Sequence, residues 1–564
     1  MRDLRPILLL AAGLALAILV APPATAATIS IVNADTLGEG FLDPTPAAPV
    51  GGNPGTTVGQ QRFNVFQHAA DLWGAILPST VEIRVLSSFD PLPCTASSAV
   101  LGSAGTRSIH ANFTGAEFAN TWYHQPLANK QAGADQSTLE DLRARFNRGI
   151  GAVGCLEGAS WYYGFDSNEG AGQVDLLPVV LHELAHGLGF STFVDLTTGA
   201  QPSGLPDVYE RFMIDGSTGE RWTDMTNAER IGSAVNGPNV AWDGGAVTFM
   251  APIVLNGRPI LTVDAPAGIA GDYALGTASF GAPLSTTPVS GDVALVNDGS
   301  GTVSDACSPL VNGAQVSGRI ALVDRGTCAF TIKAKGAQDA GAIAVIIADN
   351  VAGSTPPGLG GADPTVVIPV VSVTQAVGNT LKANLAAGVH AALALDPAQL
   401  AGADAAGRVL LYAPNPLQLG SSISHWDVSA TPNLLMEPAI NPDLSDEVDL
   451  TRYLFEDIGW LPRTTTVGPP SAPTARLAPA RPNPFGEATV VQFSLARAGE
   501  ATVDVYDVGG RRVRRLLRAD LPAGPHEVSW DGAGDDGRRL PAGVYRLRLR
   551  GEGLEDTRSI VLFR

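Results

Sequence analysis

Charge is scarce in this chain of 564 residues: Asp, Glu, Lys and Arg together make up 16%, and only four residues are lysine. The 36 basic side chains are outnumbered by 55 acidic ones, for a net charge of −19. A phosphate backbone would be repelled, which excludes nucleic acid as the main partner. The shortage of lysine beside arginine reflects genomic composition bias, not function. Aromatics reach only 6%, yet the hydrophobic total is 45%, with 64 glycines and 41 prolines. That balance excludes a disordered chain and a long coiled coil. It implies buried cores joined by many turns, three or four domains for a chain of this length.

Cysteine is also rare. Cys94, Cys155, Cys307 and Cys328 are the full set, and no C-x-x-C spacing is present, so a thiolate metal site is not indicated. An even count in an exported chain favours disulfides. Four cysteines allow three pairings, of which proximity favours Cys94–Cys155 and Cys307–Cys328. Long apolar runs are missing except at the N-terminus, where Ile7 to Val20 follow Arg2 and Arg5 and precede Ala24-Thr25-Ala26. Fourteen residues of helix rise about 21 Å, short of a bilayer core of about 30 Å. Residues 1–26 therefore read as a cleaved signal peptide. The mature chain is expected to lack a membrane span and to be secreted, extracellular or held at a bacterial cell surface.

Helical spacing of Phe63, Phe66, Ala70, Trp73 and Leu77 predicts an amphipathic helix over Gln60–Leu77, with His68 off its apolar face and solvated. The alternation Val81, Ile83, Val85 predicts a strand with one wet face. The segment that carries chemistry is Asp175 to Phe190. Asp175 can cap a helix, Pro178 falls in its first turn, and Gly189 can end it. Four residues at about 100° each bring His186 back to the side of His182, one turn along. Glu183 sits one step round, within reach of a metal-held water without ligating the metal. This is the H-E-x-x-H arrangement of zinc peptidases.

A catalytic zinc usually has three protein ligands and an open position. Three residues after Gly189, where a third histidine often follows, stands Thr192, a poor zinc ligand. Glu210 is one alternative. The other is remote: His425-Trp426, followed eleven residues on by Met436. The set His182, Glu183, His186, Gly189, Phe190, His425, Trp426, Leu435 and Met436 resembles the leishmanolysin-type metzincins. That resemblance implies His182, His186 and His425 as zinc ligands, Glu183 as general base, and Met436 in a Met-turn that forms an apolar floor. Asp449 to Trp460 then reads as the lobe's closing helix. His110, His124, His390 and His526 have no partner spacing. Asp207, Asp243 and Asp272 are candidates for calcium, with no loop motif to support a particular site.

Between Gly189 and His425 the composition shifts to Val, Ala, Gly and Ile. Strands at 319–324, 342–347 and 368–373 alternate with helices at 331–340 and 375–385, implying parallel βαβ units. The segments Gly318–Phe330, Lys335–Asn350 and Ile368–Val373 resemble the protease-associated (PA) domain, in that family a non-catalytic lid or substrate-handling module. After a Thr/Pro/Gly-rich linker, alternating strands such as Ala501–Val505 suggest a β-sandwich of about 90 residues. Asn483-Pro484-Phe485, Val505-Tyr506-Asp507, Val528–Gly532 and Pro541–Tyr545 make it similar to Ig-like tails that serve as sorting modules of type IX-like secretion, with Ser559–Arg564 as last strand. This tail carries +3 and the remainder −22.

The fold class expected is therefore a multidomain α+β chain. A metzincin-like zinc peptidase domain (27–250 and 415–463) is interrupted by an α/β PA-like domain (251–414). A linker (464–475) leads to an all-β Ig-like domain (476–564). The function implied is a secreted zinc endopeptidase, with Zn²⁺ as cofactor, Ca²⁺ a further candidate, protein or peptide substrates, and secretion machinery as partner of the tail. An inactive cell-surface binding protein on a peptidase scaffold is the alternative.

Overall fold

The computed structural model describes residues 26–461 and 476–562, apart from 354–355, 441–443, 445–447 and short stretches of the tail at 478–479, 481–482, 484, 487, 496, 508–510, 536 and 552–553. The expected signal peptide up to its last residue, and the expected linker, lie outside the described residues.

The first body is built on a four-stranded sheet in the order Ile29–Asn33, Ile83–Asp90, Leu142–Asn147 and Gly102–Thr106. The first three strands are parallel, and the last runs antiparallel along the edge, pairing Gly102 with Phe146 and Thr106 with Leu142. Two helices, Val58–Ile76 and Leu176–Leu188, pack with this sheet into one core. In the first, Thr57 caps the N-terminus by accepting from Gln60 N–H, and Val65, Phe66, Ala69, Ala70 and Trp73 are buried. Phe63 departs from the expected apolar face: it is 37% exposed and meets Phe41 edge-on. His68 lies off the buried face, as expected, and its partly exposed ring stacks on Phe165 at 4.6 Å.

Two indole N–H groups fix the second helix, which carries the candidate site. Trp73 Nε1 donates to Leu181 O at 3.1 Å and Trp460 Nε1 to Leu188 O at 2.8 Å. Trp460 follows the helix Thr451–Asp457, shorter than the span expected for it.

An eight-stranded sheet makes the second body. Its core strands Val289–Leu295, Ile320–Asp324, Ala344–Ala348 and Val370–Val373 are parallel. Alternate residues go to opposite faces. Ile320, Leu322, Ala344 and Ile346 pack with Leu381 of the helix Gln375–Asn384. Ala321, Val323, Val345 and Ile347 pack with Ala334 and Ala337 of the helix Phe330–Asp339. Both faces being covered explains runs that are apolar without alternation. Antiparallel strands Gly257–Ala265 and His390–Leu400 carry the chain in and out, and they pair Gly257 with Leu400. The insert thus begins and ends at one place.

The tail places two antiparallel sheets around a common core. One holds Arg476–Leu477, Thr489–Leu495 and Gly524–Trp530; the other holds Arg512–Leu521, Gly499–Tyr506, Gly543–Gly551 and Leu554–Leu562. Ala501, Val503 and Val505 all face inward. Both expected disulfides are formed, Cys94–Cys155 and Cys307–Cys328. Among the described residues no helix is long and apolar enough to cross a membrane.

Gly187 lies where the site helix crosses the sheet, and an added Cβ would come within 2.7 Å of Leu142 Cδ2. Leu142 is itself wholly buried and has no room to retreat. Gly187→Val is expected to destabilise the fold by about 1–3 kcal/mol, read as a lower denaturant midpoint at unchanged slope.

Candidate metal centre

The site helix is capped as its composition suggests. Asp175 Oδ1 accepts from Leu177 N–H at 3.0 Å, and Pro178 occupies the first turn. At the other end Gly189 takes a φ of +140°, which an L side chain rarely adopts, and a Cβ there would lie 2.6 Å from Ile458 Cδ1. This turn folds Phe190 back, so that its N–H reaches Ala185 O and its carbonyl accepts from His186 Nδ1 at 2.9 Å. The glycine that ends the helix therefore also positions the second histidine.

His425 arrives from the far side of the insert. Its Nε2 lies 3.2 Å from His182 Nε2, which is 3.1 Å from His186 Nε2. Among the described residues these three form the one group of His, Cys, Asp or Glu side chains gathered as cation ligands would be. The segment after His425 is held by backbone. Trp426 N–H donates to Met436 O at 2.8 Å, and Leu435 O accepts from His182 Nδ1 at 2.8 Å. Met436 is wholly buried in the same core as the helix, and Trp426 meets Phe190 edge-on at 5.0 Å.

The second nitrogens decide what the cluster can hold. Each Nδ1 faces a carbonyl oxygen: Leu435 O for His182, Phe190 O for His186, and Ser421 O for His425 at 2.7 Å. A carbonyl only accepts, so each Nδ1 must carry the proton and each Nε2 a bare lone pair. Burial keeps the rings neutral, lowering His182 to about 3, His186 to about 4 and His425 well below the usual range. Three lone pairs pointing at one another cannot satisfy each other by hydrogen bonding. A cation satisfies all three at once, and neutral imidazoles with oriented second nitrogens suit zinc.

Glu183 is also buried, and burial raises its carboxyl to about 8, opposed by the nearby backbone N–H of Ala104. The edge strand Gly102–Thr106 thus runs directly beside it. A Cβ on Gly102 would fall 2.7 Å from Glu183 Cγ and 2.8 Å from Oε1, so only glycine permits this approach. The imidazoles, Glu183, Ser191, Glu437 and residues 97–104 line one cleft of about 1030 Å³.

Glu210, the alternative third ligand, is not at the cluster. It accepts from Gln201 Nε2 at 2.7 Å and from Asp207 N–H, and it lies 3.6 Å from Arg230 Nη1. The calcium candidates do not gather with other ligands either. Asp207 accepts from Thr192, Phe193 and Glu210, Asp243 pairs with Arg221 and Arg408, and Asp272 accepts from Thr262. Sequence reasoning missed Gly102, His124, Ser191 and Glu437 in or behind the cleft. None sits in a spacing that announces it.

The PA domain model matches residues 270–381, and the FlgD Ig-like domain model matches residues 484–553. The chain is 48% identical over 80 residues to a probable lipoprotein aminopeptidase, LpqL, of Mycobacterium tuberculosis, covering 14% of this chain and 16% of that protein. It is also 48% identical over 52 residues to the human ER degradation-enhancing alpha-mannosidase-like protein 3, covering 9% of this chain and 6% of that one. Among solved structures, a zinc aminopeptidase from Bacillus subtilis is matched at 25% identity over 27% of this chain and 35% of the other, with a TM-score of 0.20. The chain spans less than a fifth of the curated relatives it matches. Their names point to two different chemistries, so these short segments fix no activity. The chain contains a PA domain and a C-terminal Ig-like domain.

The tautomers are directly measurable. ¹⁵N NMR of the metal-free protein near neutral pH is expected to show His182, His186 and His425 neutral and protonated on Nδ1; protonation on Nε2 of any of them would contradict the carbonyl contacts.

Proposed function

We propose that this chain is an exported zinc endopeptidase of the metzincin type, with the PA domain inserted in its catalytic domain and the Ig-like tail acting in sorting. The observation that carries the reading is the convergence of three Nδ1-anchored imidazoles beside a buried carboxylate in an open cleft. His182, His186 and His425 would hold the ion through Nε2. When bound, zinc supplies Lewis acidity toward a scissile carbonyl and a water, and as an adjacent positive charge it favours the carboxylate form of Glu183.

Glu183 would take a proton from the attacking water and return it to the leaving amine. Gly102 of the edge strand lies against that carboxylate and confines it. Val174, Pro178, Val179, Ile440 and Leu444 give the cleft apolar walls that limit water. The edge strand Gly102–Thr106 has a sheet neighbour on one side only. An extended peptide laid along its other side would pass Glu183 and continue in both directions, which favours cleavage within a chain.

Casein and a peptide with a blocked N-terminus should both be cut, and a chelator should stop both. Failure on the blocked peptide with release of free N-terminal residues would make the enzyme an aminopeptidase. Glu183→Gln is expected to retain zinc and lose about 10²–10⁴-fold in kcat; undiminished turnover would remove Glu183 from the mechanism. His425→Ala should lose stoichiometric zinc. Retention would reject it as a ligand.

A further inference from the structure

His124 is wholly buried, yet neither the metal cluster nor the general base uses it. It ends the short strand Tyr123–His124 and precedes the helix Gln125–Ala132. Its Nε2 lies 2.8 Å from Ser191 Oγ, and its ring packs on Phe193 at 4.4 Å. Its Nδ1 has no hydrogen-bond partner among the described residues, and a Cβ on Gly189 would stand 4.0 Å away. Ser191 follows Phe190, is only partly buried, and lines the cleft together with His182, His186, His425 and Glu183.

A neutral imidazole has one N–H to place. Put on Nδ1, it would be a buried donor without an acceptor; put on Nε2, it is satisfied by Ser191 Oγ and leaves a bare lone pair on Nδ1. Orphaned buried donors are rarer than orphaned acceptors, so the ring donates and the serine accepts. The Ser191 hydroxyl proton is then turned away from His124. No protein acceptor for it is present among the described residues, and the open side of Ser191 is the cleft. The cleft there is also lined by the three imidazoles, the Glu183 and Glu437 side chains and the hydroxyls of Ser103, Ser421 and Ser424. A peptide carbonyl brought beside Ser191 offers that hydroxyl proton the acceptor the protein does not supply.

We propose that the Ser191 hydroxyl donates a hydrogen bond to a carbonyl oxygen of the bound peptide, and that His124 is the positioning residue that aims it. This rests on the peptidase reading above. No covalent step is involved. Ser191 touches substrate, and His124 acts only through Ser191.

The test is steady-state kinetics on an N-terminally blocked peptide with the full, zinc-loaded chain, with zinc content and circular dichroism recorded for every variant. Chelator-sensitive cleavage by the unaltered protein comes first; its absence would overturn the peptidase reading itself. Given that activity, Ser191→Ala is expected to lower kcat/KM about five- to tenfold with zinc content unchanged. His124→Leu should cause the same loss, the double variant no greater loss, and His124→Gln, which keeps a donor near the Nε2 position, should recover most of it. Activity of Ser191→Ala within twofold of the unaltered protein would overturn the proposal. So would a double variant whose loss is the product of the two single losses. Should His124→Leu fail to fold, Ser191→Ala and His124→Gln decide the matter between them.

Discussion

Three backbone carbonyls, from Ser421, Phe190 and Leu435, orient the three imidazoles, and the rest of the site depends on that constraint. An imidazole free to rotate or to change tautomer would present a proton where a lone pair is needed. Each carbonyl belongs to a turn with its own cause. Phe190 is delivered by the left-handed Gly189, and Leu435 by the turn whose next residue, Met436, binds Trp426 N–H. Ser421 belongs to a loop tied by Ser422 Oγ to Gln418 N–H. The geometry of the three imidazoles is therefore set by loops, while helix and sheet supply the rigid body they sit on.

The second constraint is topological. His425 is 239 positions beyond His186 in the chain, and a whole sheet intervenes. The insert costs little in closure entropy because it enters and leaves on paired strands, with Gly257 beside Leu400. Beyond the exit, Asn256 N–H binds Thr431 O, Trp242 N–H binds Val409 O and Leu411 N–H binds Val240 O. These contacts lead the returning chain back along the strand Val240–Trp242, and His425 follows within one further loop. The two halves of the first body thus behave as one core, in which Trp242 and Trp426 are both wholly buried.

Much of this was legible in the sequence wherever a physical period or a chemical pair marks it. The helices Val58–Ile76 and Leu176–Leu188 show through apolar spacing, and the parallel strands of the insert through unbroken Val/Ile/Ala runs. The His-Glu pattern is local to one helix, so its geometry follows from 3.6 residues per turn. The edge strand Gly102–Thr106 was not legible, because GSAGT has neither alternation nor β-branched weight, and Gly102 is explained only by the carboxylate lying against it. His124 and Ser191 are 67 residues apart and meet only through the fold. Phe63 was misplaced because helical spacing identifies a face without showing which of its margins the neighbouring loops leave open.

The most direct measurement is anomalous diffraction at the zinc edge from crystals of the zinc-loaded protein. The expected result is one peak about 2.1 Å from Nε2 of His182, His186 and His425 together. A peak shared by His182 and His186 but not His425, or no peak between them, would contradict it.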